Sequence, residues 1–177
     1  MHLAIAYPAL PRGDEREDVL NAINGVLGGS MSARLFQEVR EKRGLAYSVY
    51  SYLSPFRECG ALKIYAGVNP NNVEEAYGAI CDVINGMKKD GITEEEFLRS
   101  REQLKSGMFF SNESTNAQML LYGKNMLYFD KIFNFEERLD RINSMSFDTA
   151  NEALALMFDQ TQKAVALVGN TDEPLPL

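Results

Sequence analysis

The chain has 177 residues, 45% hydrophobic and 24% charged, which fits one globular domain with a substantial core. Lys and Arg number 18 against 25 Asp and Glu, a net charge of −7, so the basic surface needed for nucleic acid or an anionic membrane is not expected. With His2 as its one histidine, the chain can write neither H-E-x-x-H nor H-x-x-E-H, and no apolar run approaches a membrane span.

Residues 2–7 read as a strand closed by Pro8 and Pro11, with His2 a polar residue at its start. The opening MHLAIAYPAL lacks the basic and long apolar regions of a signal peptide. Residues 14–27 read as a helix with acids in its first turn and Val19, Leu20, Ile23 and Leu27 on one stripe; Gly28-Gly29 breaks it. Ser32 is placed as the N-cap of a second, short helix running to Lys42, with Gly44 just past its end. Residues 45–53 form a strand by composition. Residues 61–68 alternate cleanly, with Leu62, Ile64, Ala66 and Val68 on one face, and the short connection makes the two an antiparallel hairpin.

Asn69-Pro70 opens a helix to about Lys89, whose apolar face is Val73, Ala76, Tyr77, Ile80, Ile84 and Met87. Thr93 to Glu96 is a capping box before a long helix through Phe110. Helical text also covers 115–128, 135–142 and 146–158. Residues 163–168 make a last strand, and 171–177 a loose Pro-rich tail. The expected fold is α+β: a mostly antiparallel sheet with helices packed on one face, a ferredoxin-like split βαβ core with helices inserted before the last strand. Cys59 and Cys81 have no framework spacing and read as reduced cysteines of a cytoplasmic protein.

Little of the polar content suggests chemistry. The glycines at 28 and 29 follow a helix and lack the Lys of a phosphate loop, so they read as a helix break. Glu94 to Glu96 and Glu136-Glu137 sit in helix first turns, where they suit the dipole and stay solvated. The serines lack a histidine base. Arg40 and Tyr47 remain. A helix-turn-strand of this length folds back sharply and brings both side chains to one edge, where a guanidinium fork and a hydroxyl suit a peptide carbonyl or a developing oxyanion. The same residues also suit an ordinary helix C-terminus and an ordinary strand tyrosine.

The run LGGSMSARLFQEVREKRGLAYSVYSYLSPFRECGALKIYAGVNPNNVEEA closely resembles the C-terminal, non-zinc domain of the pitrilysin, insulin-degrading-enzyme and mitochondrial-processing-peptidase family of inverted-zincin metallopeptidases. It carries the family's GG-x-x-SRL start, written here with Ala33 before Arg34, and the L-R-x-x-x-G-L-x-Y core as VREKRGLAY. HLAIAYPAL, KDGITEEEFLRSREQLKSGMFFSNEST and KAVALVG resemble the flanking strand, long helix and closing strand, so the resemblance spans nearly the whole chain. The H-x-x-E-H motif belongs to a separate homologous half in this family and does not occur here.

The resemblance implies a single domain, residues 1–177, that is a fragment of a longer chain. It implies the non-zinc half of a processing-protease-like zinc metalloendopeptidase, inactive by itself, with zinc in the partner half and no cofactor of its own. Arg40 and Tyr47 map onto the family's substrate contacts near the scissile bond. The expected partners are that zinc-bearing domain or subunit, an unfolded peptide and possibly a second copy as a homodimer, but no nucleic acid or membrane. A catalytically inactive peptide-binding or scaffold homologue is the alternative.

Overall fold

The hairpin expected from the alternation at 62–68 lies at the heart of the fold. In a computed structural model describing residues 1–158 and 162–170, β2 (Ala46–Pro55) and β3 (Gly60–Val68) pair antiparallel. β3 also pairs with β1 (His2–Ala9), and β1 with β4 (Ala164–Val168), both antiparallel. The sheet order β2-β3-β1-β4 is the split βαβ arrangement expected. The tail at 171–177 lies outside the described residues. Among them no helix is long and apolar enough to cross a membrane.

Among the described residues six α-helices accompany this sheet: α1 (Glu17–Leu27), α2 (Val73–Asp90), α3 (Glu94–Glu113), α4 (Thr115–Phe129), α5 (Phe135–Ser144) and α6 (Phe147–Phe158). Period-2 alternation puts Leu3, Ile5, Leu62, Ile64 and Ala66 on one face, all 1% exposed or less. They join Ile80, Ile84 and Met87 of α2 in one core cluster. The opposite face, with Ala4, Tyr50, Tyr52 and Ala166, is open.

Three local expectations change. β1 runs on through Pro8, which pairs with Ala61, because β4 reaches only to Ala6 and leaves that end of β1 open on one side. α1 begins at Glu17, since Asp14 turns back to bond the backbone and guanidinium of Arg16. Ser32 caps nothing; its hydroxyl lies 3.1 Å from that of Ser30.

Glu96, expected to be a solvated first-turn residue, instead holds elements together, and so does Asp18 of α1. Asp18 is buried and takes Arg138 of α5 at 2.8 Å, tying α1 to α5. Glu96 closes the capping box with Thr93 and also receives the Arg34 fork at 2.7 and 2.6 Å. Burial pushes the Glu96 carboxyl up, but Arg34 and Thr93 outweigh it and hold it at about 2, against 4.5 ordinarily. A depressed carboxylate stabilises the fold fully above its unfolded value and loses that contribution as pH falls through its folded value. Urea unfolding should therefore show stability falling by about 2 kcal/mol between roughly pH 5 and pH 2 through this group. Glu96→Gln should flatten that slope, and an unchanged slope would mean that the pair contributes nothing.

Candidate functional site

Arg40 lies on a π-helical segment, Phe36–Lys42, rather than on an α-helix. The widened turn ends at Gly44, whose φ of 64° suits glycine, and the Gly44 N–H donates to the Arg40 carbonyl. Leu45 N–H then reaches the Val39 carbonyl, which turns the chain directly into β2. In the charged cluster at the end of this segment, Lys42 bonds Glu38 and Arg43 reaches Asp82 of α2 at 3.7 Å. Arg40 instead turns toward β2, with Glu41 beside it at 3.8 Å.

Tyr47 is the extra residue of a β-bulge. Ala46 pairs with Val68 and Ser48 with Gly67, so Tyr47 has no partner opposite it. A bulge re-aims a side chain, and Tyr47 stands 87% exposed at the sheet's edge. The Arg40 guanidinium lies 5.6 Å from the Tyr47 ring centroid and 4.8 Å from that of Phe36. The two residues singled out in the sequence thus converge on one accessible surface, each placed by an irregular piece of backbone. The sequence reading missed both irregularities. Gly67, opposite the bulge, is the one sequence signal for it.

Beside the pair is an open concavity of about 450 Å³, lined by His2, Tyr47, Ser48, Tyr65, Asn69 and Asn72 among others. His2 Nδ1 lies 2.7 Å from the Tyr65 hydroxyl, so this imidazole belongs to the sheet surface. A larger concavity of about 650 Å³ between α1, α4 and α5 is lined in part by Asp18 and Arg138, which satisfy each other. Among the described residues no group of three His, Cys, Asp or Glu side chains could hold a metal ion. The donors present do not fit zinc, and no chemistry through zinc is assigned to this chain.

A family profile described as "Peptidase M16 inactive domain" matches residues 1–104. The chain belongs to the peptidase M16 family, as one of its inactive domains. It is 40% identical, over 94% of its length, to the uncharacterized zinc protease YmxG of Bacillus subtilis, and 41% identical, over 83%, to an uncharacterized zinc protease of Streptomyces coelicolor. It spans only 41% and 32% of those relatives. In fold it is similar to a protease from Helicobacter pylori, with TM-score 0.82 and 20% identity over 93% of this chain and 40% of that one. A peptidase M16 inactive domain from Pseudomonas fluorescens gives TM-score 0.78 and 23% identity over 93% and 39%.

Proposed function

We propose that this chain is the non-zinc half of a zinc-dependent metalloendopeptidase of the processing-protease type. It binds an unfolded peptide and completes an active site whose metal sits in a homologous half. The observation that carries the reading is the convergence of Arg40 and Tyr47 on an accessible edge, one from a π-helical turn and one from a bulge. Both kinds of distortion recur at functional sites. A planar fork and a phenol hydroxyl together can hold a peptide carbonyl and oppose negative charge developing on it. The zinc proteases among its relatives support the partner half, since each is more than twice as long as the stretch it shares with this chain. The free Cys59 and Cys81 suit a reducing, cytoplasmic setting.

The test is reconstitution. This chain alone should bind no stoichiometric zinc and cleave no peptide; the zinc-bearing half alone should be nearly inactive; together they should cleave an unstructured peptide. Full activity of the zinc half without this chain would sink the proposal and favour a scaffold role. Tight zinc on this chain would reverse the assignment of halves.

A further inference from the structure

Helix α4 is covered by almost nothing. None of its residues is buried. Of the sixteen exposed large hydrophobic side chains among the described residues, nine lie between Phe109 and Ile132. Phe110, Met119, Leu127 and Ile132 are 64–79% exposed. Over its fifteen residues α4 carries one charge, Lys124, in a chain that is 24% charged. Beneath it, Leu104, Met108, Leu120, Leu121, Phe133 and Phe135 line a groove of about 560 Å³ shared with α3 and α5, with Arg12, Lys124 and Arg138 also on its wall. A helix apolar on every side is one that other elements surround, and charge depletion marks the centre of an interface.

We propose that α4 and the segment after it, to Ile132, form an interdomain surface, covered in the full-length protein by an apolar face of a second domain of the same polypeptide. The size fits. Taking about 200 Å² for a fully exposed large side chain, the nine contribute on the order of 1,000 Å², against roughly 800 Å² per side in a standard interface. The source also fits, because the match takes in only 41% of YmxG and leaves more than half of that relative to supply a cover. A domain joined in cis meets this surface at high effective concentration, as a permanently apolar patch requires. A membrane is the poorer occupant, since α4 lacks the basic polar face of an interfacial helix and the chain carries −7.

This surface rests on the reading of the chain as part of a longer protein, but not on peptide binding. The experiment is photo-crosslinking in the protein as its gene encodes it. Benzoylphenylalanine replaces Leu127 and, as control, the exposed Glu75 of α2. Irradiation should yield a crosslink within one polypeptide, mapped by mass spectrometry from position 127 to a residue outside 1–177, with none from position 75. A crosslink joining two copies would overturn the proposal in favour of a homodimer. Lipid adducts, or no crosslink at all, would overturn it as well. If it fails while Arg40 variants still lose turnover in the assembled enzyme, the peptide-binding reading stands and only this interface falls.

Discussion

In the assembled enzyme, with the zinc-bearing half present, Arg40→Ala should lower peptide turnover by about 100-fold, or roughly 3 kcal/mol, the usual loss when one well-aimed donor to developing charge is removed. Tyr47→Phe removes one hydroxyl and should act in the same direction. Neither substitution should disturb the fold by more than about 1 kcal/mol, because Tyr47 is 87% exposed and Arg40 makes only half-exposed contacts with Phe36, Tyr47 and Glu41. Arg40→Lys should not restore the rate, since an ammonium lacks the planar fork and bonds a carbonyl through a single direction at a time. Steady-state kinetics alongside thermal melts separates the two kinds of effect. Wild-type turnover in both variants, or collapse of the domain on Tyr47→Phe, would make Arg40 a helix-end cation and Tyr47 a packing residue.

Ile64→Ala should destabilise the domain by about 2–5 kcal/mol in urea unfolding. Ile64 is 1% exposed on β3, between Ile5 of β1 and Ser51 of β2 across the sheet, and shares the core with Ile80 and Ile84 of α2. Its neighbours belong to two flanking strands and a helix, so they cannot all collapse into the space left by the lost carbons, and a cavity remains. A loss below about half a kcal/mol would place Ile64 at a surface and contradict the facing of the whole strand. Lys63, one residue away on the opposite face, is the matched control, and Lys63→Ala should cost well under 1 kcal/mol.

Much of the fold was legible along the chain. The alternation from Leu62 to Val68 and the stripe from Val73 to Met87 are read from periods of two and of 3.6, the capping box at Thr93 from its Thr-x-x-Glu spacing, and all three appear as expected. The Arg40 and Tyr47 pair was legible mainly through the motif around it, because a cation near a helix end and a tyrosine in a strand are common on their own. What could not be read was how the backbone presents them. A π-turn needs one extra residue in a helical ring and a bulge one extra residue in a ladder, and both depend on the neighbours that the segment must meet.

By itself, therefore, the sequence determined the strands, the α-helices and the apolar faces, since each follows from interactions between residues close together in the chain, while the class of domain was read from the resemblance of its motif block. Tertiary structure alone decided the roles of the charged groups. Asp18 and Glu96 resemble any other first-turn acids until Arg138, 120 residues away, and Arg34, 62 away, arrive beside them. It also decided that α4, with one charge in fifteen residues, lies largely uncovered. Period and composition say which side chains need to leave water. They do not say what will cover them, because burial is settled by the surfaces that meet and not by the segment that carries the side chains.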